Sequence, residues 1–550
     1  MKKSESKKGK GINPTIKVLL FFIVFILSIA FCFSKLEGIS FFDAIYWGVT
    51  TCSTVGYGDI SPKTPYAKLL TMFLMISGVA LLGYLLSTMS DKLMSLNMSK
   101  VMGLRKVKIS EHVIIVGWNI VAKIALDELR NMGADVVLID SNQHPEISAM
   151  TNTHFVLGSC QDGTTLKKAG IQTAKAIILV MESDSEVILA VSSIRKVNSS
   201  ITIIGRIDDL DFAEVAKQAG CNRVVSPSET GGHMLFSALE EPAVVRWFEE
   251  ATVMNYGVDI VDKKVTDTKF AGLTVGEIEA VLQMNIIGIE KLSKNKFQAL
   301  PEKTVRVEVT DTLILLYKET GADVMHFSKR LNVQKVLGGD VLLVGWNPTV
   351  RSAVNEFLFS KHFTITVLSN DVTISEKEHY EQAGVTFISK DISKLSLNRA
   401  FEMHGTNVIV GIDNDSEAIL SSHIIKGLKA DINLIVRVDD PANNDAAESI
   451  GANQIISPSV IGGRLLANAI SNPASVTLLM EAATATSGMD TSQFTIDSGS
   501  KLDGARISDF TYEKRFLVVG LERANGGELV TLPSGEERIH AGDTLIFLHV

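Results

Sequence analysis

Thr54-Val55-Gly56-Tyr57-Gly58-Asp59 is a stretch whose chemistry would reside in its backbone. A dehydrated potassium ion needs oxygen ligands in place of its water shell, and backbone carbonyls arranged in rings from four chains supply them. Glycines at 56 and 58 permit the backbone angles that turn successive carbonyls to the same side. The Thr54 hydroxyl would add an inner ring of oxygens. Tyr57 is expected to point away from the ions and pack against Tyr46 and Trp47, holding the ring open.

A second candidate lies downstream. Gly117-Trp118-Asn119-Ile120-Val121-Ala122 keeps the first glycine of a phosphate-binding turn, with a small Ala122 at the third position. Trp118 is read as occupying the place where a second glycine would let the backbone reach a pyrophosphate. Asp140 ends the next strand, 23 residues after Gly117, where its carboxylate can accept both ribose hydroxyls of an adenine nucleotide. Arg206, at the end of a later strand, is placed to reach a phosphate across the crevice. Calcium needs about six to eight oxygens. Glu182, Asp184 and Asp208 are the candidate acids for it, without EF-hand spacing or a long Asp run.

Stepping outward, two apolar stretches are long enough to enter a bilayer. Val18–Phe33 has Ser28 as its single polar residue, and Leu69–Ser90 carries no charge over 22 residues, roughly 33 Å of helix. Bulky Phe31-Cys32-Phe33 does not resemble a signal-peptide cleavage site. Lys2, Lys3, Lys7, Lys8, Lys10 and Lys17 flank the first stretch; Lys92, Lys100, Arg105, Lys106 and Lys108 follow the second. The positive-inside rule puts both flanks in the cytoplasm, so everything after Asp91 is expected there. Between the spans, Phe41–Thr51 reads as a helix too short to cross, tolerated at membrane depth only beside protein or a water-filled cavity. Its carboxyl end would favour a cation.

The net charge of −9 argues against nucleic acid as a partner. Cys32, Cys52, Cys160 and Cys221 form no CxxC pair, which fits a reducing compartment. No His or Lys stands in a recognisable catalytic context, so the chain is expected not to be an enzyme and no catalytic residue is assigned.

The remainder is a tandem repeat. Val-Gly117-Trp118-Asn119 returns as Val-Gly345-Trp346-Asn347, 228 residues later. Glu182-Ser-Asp184-Ser-Glu186 returns as Asp413-Asn-Asp415-Ser-Glu417, Arg206-Ile-Asp208-Asp209 as Arg437-Val-Asp439-Asp440, and Ser226-Pro-Ser-Glu-Thr-Gly-Gly232 as Ser457-Pro-Ser-Val-Ile-Gly-Gly463. In the first copy, apolar runs near 112–117, 135–140, 154–157, 176–181 and 201–206 alternate with helical stretches such as 120–132 and 185–197. That pattern predicts parallel strands buried on both faces. Each copy closes on β-like sequence, at Val305–Tyr317 and Glu528–Leu548.

The fold class expected is an α-helical membrane pore followed by two α/β Rossmann-like modules, each with a small α+β lobe. The expected boundaries are a basic tail at 1–14; a pore domain at 15–92, with spans at about 15–34 and 66–92, a pore helix at 41–53 and the 54–59 motif; and a linker at 93–109. The first module's lobes are expected at 110–242 and 243–335, and the second's at 336–471 and 472–550. The second Rossmann turn looks poorer. Its strand ends at Leu368-Ser369-Asn370 with no acid unless Asp371 moves into place, and Pro348 interrupts the helix start, so an empty or structural lobe is expected.

The region around Thr51-Cys52-Ser53-Thr54-Val55-Gly56-Tyr57-Gly58-Asp59 resembles the pore of two-transmembrane potassium channels, and about 110–550 resembles two RCK (KTN, regulator of potassium conductance) domains. The plan is similar to that of calcium-activated BK-type channels without their voltage sensor. The resemblance implies a potassium-selective, ligand-gated homotetramer in the cell (inner) membrane, with eight RCK domains in a cytoplasmic gating ring. It implies NAD, ADP or ATP as regulatory ligand, with calcium as a further possibility. Gly78 and Gly83 become candidate bending points of the inner helix, with close helix packing as the other reading. Ser159, beside Cys160, stands where many such domains carry Asp, and both join the nucleotide candidates. The acid positions of the archaeal calcium site correspond to Val180, Arg206 and Asp208, so that site is expected to be absent. The alternative, a Trk- or Ktr-type transporter subunit, requires four pore loops per pore chain, and this chain has one. The sequence leaves open which ligand opens the pore and which closes it.

Overall fold

The computed structural model describes residues 14–101, 103, 106–144, 146–147, 150–252, 258–266, 270–291, 296–318, 336, 338–388, 407–484, 490–509, 516–524 and 529–549. The basic tail up to residue 13, and parts of the expected linker and of both modules, lie outside these residues. The chain divides into two units, Met1–Arg105 and Lys106–Val550.

The first unit is three helices: α1 (Pro14–Glu37), α2 (Phe41–Cys52) and α3 (Pro65–Val101). Segments Val18–Glu37 and Pro65–Ser90 are long and apolar enough to cross a membrane. α3 continues past the expected end at 92 to Val101. Residues 91–101 contain neither Gly nor Pro and are rich in Leu, Met and Lys, so nothing local stops the helix. The Glu37 carboxylate at the end of α1 accepts from the Lys63 and Thr64 amides at 2.9 and 2.8 Å and from the Thr64 hydroxyl at 3.0 Å. These donors lie just ahead of α3, so one side chain ties the end of α1 to the entry of α3. α2 lies between them, capped by Ser40, whose hydroxyl accepts from the Asp43 amide at 3.0 Å.

The second unit holds two Rossmann-like lobes of identical topology. Strands β1 (Val113–Val116), β2 (Val136–Asp140), β3 (Thr153–Leu157), β4 (Ala176–Leu179), β5 (Thr202–Arg206) and β6 (Arg223–Val225) form a parallel sheet in the order β3-β2-β1-β4-β5-β6. Their near-continuous Val and Ile runs are buried on both faces, as the apolar pattern requires. β7 (Val258–Lys264), β8 (Asn285–Lys291), β9 (Lys296–Ala299) and β10 (Thr312–Lys318) make an antiparallel sheet, β7-β10-β8-β9. The expectation of strands over 305–317 was too narrow. Only Thr312–Lys318 falls there, and the sheet begins some fifty residues earlier with a mixed-polarity strand, VDIVDKK. The second copy repeats this with β11 (Gly339–Val344), β12 (Phe363–Leu368), β13 (Thr386–Ile388), β14 (Asn407–Val410), β15 (Asn433–Arg437) and β16 (Gln454–Ile456), ordered β13-β12-β11-β14-β15-β16. Its closing sheet is β17 (Asp490–Thr495), β18 (Phe516–Glu522), β19 (Leu529–Thr531) and β20 (Thr544–His549), ordered β17-β20-β18-β19.

The two copies exchange helices. Pro227–Glu240, which follows β6, packs on Pro348–Ser360 of the second copy, and Pro458–Asn468 packs on Ile120–Asn131 of the first. The repeated Gly-Gly pairs lie at these crossings. A Cβ at Gly232 would stand 2.4 Å from Ser352 Cβ and one at Gly463 2.8 Å from Ile124 Cβ, while at Gly231 and Gly462, where Pro227–Glu240 and Pro458–Asn468 meet each other, it would collide with Pro458 and Pro227. Helices this close admit no side chain.

The copies also exchange helix caps. Asp262 on β7 accepts from the amides of Ala474 and Ser475 at 2.7 and 2.8 Å and from the Ser475 hydroxyl at 2.5 Å, capping helix Pro473–Thr484. Gln493 on β17 accepts from the Ala243 amide at 2.8 Å, at the start of Pro242–Ala251. Burial pushes the Asp262 carboxyl up, opposed by its bonds to Ser475 and Ala474 and reinforced by Glu290. A carboxyl raised on folding contributes stability that is complete below its unfolded pKa and is lost as pH rises through the folded one. At neutral pH the charge is therefore a cost, although its role as acceptor is needed. Asp262→Asn keeps one carbonyl oxygen for Ser475 but turns an NH2 toward the Ala474 amide, so it should speed amide exchange at the start of helix Pro473–Thr484 by less than Asp262→Ala does. Asp262→Ala should speed it by an amount matching the loss of a cap, about 1–2 kcal/mol. Equal acceleration in both variants, followed by hydrogen–deuterium exchange, would show that the charge itself holds the seam.

Candidate functional site

The Thr54–Asp59 segment is folded back on the end of α2. The Thr50 carbonyl accepts from the Val55 and Gly56 amides at 3.0 and 3.1 Å, and the Thr51 carbonyl accepts from the Thr54 amide at 3.2 Å. Thr54 (φ 59°), Gly56 (φ 50°) and Gly58 (φ 80°) are all left-handed. Every second residue from 54 to 58 is thus in the region that glycine tolerates freely, an alternation that can aim consecutive carbonyls the same way. Thr54 adopts it with a Cβ, at a cost of about 1–2 kcal/mol. The sequence reading had assigned unusual angles to the glycines alone.

The aromatic supports divide their roles. Tyr46 pairs its hydroxyl with the Asp59 carboxylate and is electrostatically coupled to Tyr57. Trp47 does not support Tyr57 within the chain. It is buried and stacks on Phe33 of α1, with ring centroids 3.4 Å apart and planes at 7°, so it fastens α2 to the outer helix. Tyr57 itself is 72% exposed in the single chain.

The hinge candidates also separate. A Cβ at Gly78 would stand 2.7 Å from Cys52 Sγ and 3.2 Å from Leu74 Cδ1, whereas one at Gly83 would meet nothing within 4 Å. Gly78 is a packing glycine, letting α3 close on the last residue of α2. Gly83 has no such steric duty. Gly78→Ala should therefore destabilise the folded pore by about 1–3 kcal/mol through overpacking, and Cys52→Ala in the same chain should restore most of it. Thermal stability in detergent checks this, and an unrelieved double variant would remove Cys52 as the cause.

In the first module a cleft of about 290 Å³ opens at the carboxyl ends of β1, β2 and β4, where ligands of open α/β sheets bind. Gly117, Trp118, Asn119, Asp140, Ser159 and Cys160 all line it. Gly117 is left-handed (φ 92°), and a Cβ there would strike the Val180 carbonyl. Asn119 caps the following helix, accepting from the Ala122 amide at 3.0 Å and donating to the Val180 carbonyl at 3.0 Å. This corrects the reading of the turn: two residues after Gly117, Asn119 and not Trp118 holds the second-glycine position. Ile120 and Val121 begin the helix and are not among the lining residues, and Val121 is buried. Asp140 accepts from the Asn142 amide at 2.7 Å, within the turn after β2. Cys160 is buried, with its thiol pushed up to about 11 by burial.

Arg206 does not line the cleft. It donates to both Asp208 oxygens, at 3.2 and 2.6 Å, and Asp208 also accepts from the Ser228 hydroxyl at 2.8 Å. Asp184 accepts from the Asp208 and Asp209 amides, both at 2.9 Å, and burial raises its carboxyl. The second copy builds the same network: Asp415 accepts from the Asp439 and Asp440 amides at 2.8 and 2.9 Å, and Asp439 accepts from Arg437 and from Ser459. Acids repeated with the same backbone partners are a clamp on the loop after β5 and β15. Among the described residues, no three His, Cys, Asp or Glu side chains converge as a metal site, so Glu182, Asp184 and Asp208 do not form one.

The second cleft exists and is larger, about 500 Å³. Ser369 stands at its counterpart of Asp140 and makes the same turn bond, accepting from the Asp371 amide at 3.1 Å, without supplying a carboxylate. Asp371 lines the cleft two residues on, with Asp413 and Glu417. Pro348 does not interrupt the helix, because it falls in the first turn behind the cap Asn347.

Comparison with known proteins agrees with this division. The ion channel family Ion_trans_2 matches residues 18–95, the TrkA-N domain matches 113–227 and 341–458, and the TrkA-C domain matches 492–548. The calcium-gated potassium channel TvoK of Thermoplasma volcanium is 24% identical over 56% of this chain and 92% of its own length. Probable potassium channel protein 2 of Methanocaldococcus jannaschii is 26% identical over 54% and 84%. Among solved structures, the GsuK channel bound to NAD superposes with a TM-score of 0.51 at 20% identity, covering 98% of this chain and 97% of that one. The human SLO3 gating ring gives 0.60 at 16% identity, covering 80% and 99%. One polypeptide thus joins an ion-channel domain to two TrkA-N domains and a TrkA-C domain. It is a membrane protein, a potassium channel subunit of the two-helix type with tandem RCK modules. The first closing lobe, which the TrkA-C match does not include, has the strand order of the second.

Proposed function

We propose that four copies of this chain form a potassium-selective pore in the cell membrane, opened or closed by an adenine nucleotide bound in the first RCK module. The observation that carries the ion is the left-handed alternation at 54, 56 and 58, seated on the carboxyl end of a short helix between two membrane-length helices. Eight RCK modules then face the cytoplasm as a ring, with the basic flanks of both spans on that side. Potassium-loaded liposomes containing the protein should take up rubidium and exclude sodium. Equal fluxes of the two would remove the filter assignment.

The nucleotide reading rests on the first cleft: a left-handed Gly117, a helix start capped by Asn119, and the Asp140 carboxylate at the end of β2. The GsuK channel has been solved with NAD and with ADP, which fits the same ligand class here. Asp140→Ala should weaken ADP or NAD binding, measured by calorimetry on the full chain, at least tenfold. Unchanged affinity would move the site elsewhere. TvoK is described as calcium-gated. Calcium control of this chain would have to use acids other than Asp184 and Asp208, which the loop clamp already occupies. Perfusing NAD, ADP and calcium in turn on the cytoplasmic face of single channels assigns the sign of each ligand.

A further inference from the structure

His144 was not among the residues the sequence singled out, yet it lies in the wall of the first cleft beside Asp140. Its ring stands between two carboxylates, Nε2 at 3.5 Å from Asp140 Oδ1 and Nδ1 at 3.4 Å from Glu146 Oε1. Trp118 and Phe155 hold the ring at centroid distances of 5.7 and 5.9 Å, the latter edge-on. Nε2 is buried and makes no hydrogen bond, since 3.5 Å is beyond good hydrogen-bond reach. A buried polar nitrogen with no partner, beside a carboxylate at the end of β2, requires an explanation.

A hydroxyl provides one. It can donate to Asp140 and accept from an Nε2–H at the same time, which neither a second carboxylate nor an apolar group can do. A ribose diol presents two hydroxyls at the spacing of neighbouring carbons. We propose that His144 and Asp140 form a two-residue ribose clamp, with Trp118 and Phe155 fixing the imidazole and Asp140 fixing the acceptor. This rests on the nucleotide reading of the cleft and narrows it. The ligand carries a free 2′,3′-diol. A 2′-phosphate would bring its charge against Asp140, in a wall where, among the described residues, no Lys or Arg stands to neutralise it. The second module lacks both halves of the clamp: Ser369 replaces Asp140, and Thr373 serves as the cap of helix Ile374–Gln382.

The test is calorimetry on the full-length protein in detergent with three probes: ADP, 2′-deoxy-ADP and NADP. The wild type should bind ADP at least five- to tenfold more tightly than 2′-deoxy-ADP, the cost of about one lost hydrogen bond, and should bind NADP far more weakly than NAD. His144→Phe keeps a ring between Trp118 and Phe155 and should bring ADP down to the level of 2′-deoxy-ADP. His144→Gln, which retains a donor, should recover part of the difference. If His144→Phe keeps both the ADP affinity and the ribose/deoxyribose ratio, the clamp is wrong while the nucleotide site stands. If the wild type binds none of the three, the nucleotide reading itself falls.

Discussion

Everything in the second unit depends on two helices that leave the lobes they follow. A doubly wound sheet must be covered on both faces. Here the helix after the last strand of each lobe goes to the other copy: Pro227–Glu240 onto Pro348–Ser360, and Pro458–Asn468 onto Ile120–Asn131. The exchange makes one continuous apolar core from side chains of both copies, including Trp247, Phe248, Val350 and Phe357. It also fixes the start of each cleft-forming helix, because Ile120–Asn131 and Pro348–Ser360 are the helices that follow the two glycine turns. Displacing either crossing would move a cleft wall. Contact this close is possible only because Gly231, Gly232, Gly462 and Gly463 have no side chain.

Around that core the pseudo-symmetry persists in geometry and breaks in charge. Asp262 and Gln493 occupy matching places on matching strands and cap matching helices, one with a carboxylate and the other with an amide. Arg246 reaches Glu522 across one seam, while across the other Arg223, paired with Glu290 of its own copy, meets Thr477. Hydrogen-bond geometry is what the fold requires at these points, and several residue types satisfy it. Charge is free to differ between copies, and with it the response of each seam to protons or ligands.

Much of this was legible in the sequence, and what was not has a physical reason. The proposed filter could be picked out because its chemistry would belong to the backbone and calls for glycine at fixed positions. The parallel sheets could be read because strands buried on both faces are apolar throughout. The partners of Asp262 lie more than two hundred residues away, and no local pattern marks a side chain that caps a distant helix. The clamp around Asp184 and Asp208 carries the signature of an ion site, acids near one another in the repeat, and only coordinates show that backbone amides hold Asp184 while Arg206 and Ser228 hold Asp208. Trp47 illustrates the converse. An aromatic beside a filter suggests a support, but a flat ring in an apolar helix finds whichever flat neighbour is nearest, here Phe33.

Duplication has therefore preserved the turn more faithfully than the site. Gly117 and Gly345 are both left-handed, and Asn119 and Asn347 both cap the next helix and donate to a carbonyl across the sheet. These features serve folding, since each satisfies backbone groups that would otherwise be orphaned at a buried helix start. Asp140 and Ser369 show where that requirement ends. Both accept the amide two residues on and close the same turn, so the fold is indifferent between them. Only a ligand distinguishes a carboxylate from a hydroxyl there. In the second copy Arg437 is taken up by Asp413 and Asp439, and Asp371 and Glu417 remain in the cleft wall. Its larger volume thus does not make it a second nucleotide site. Among the described residues, the groups that could recognise a ribose are assembled in the first copy.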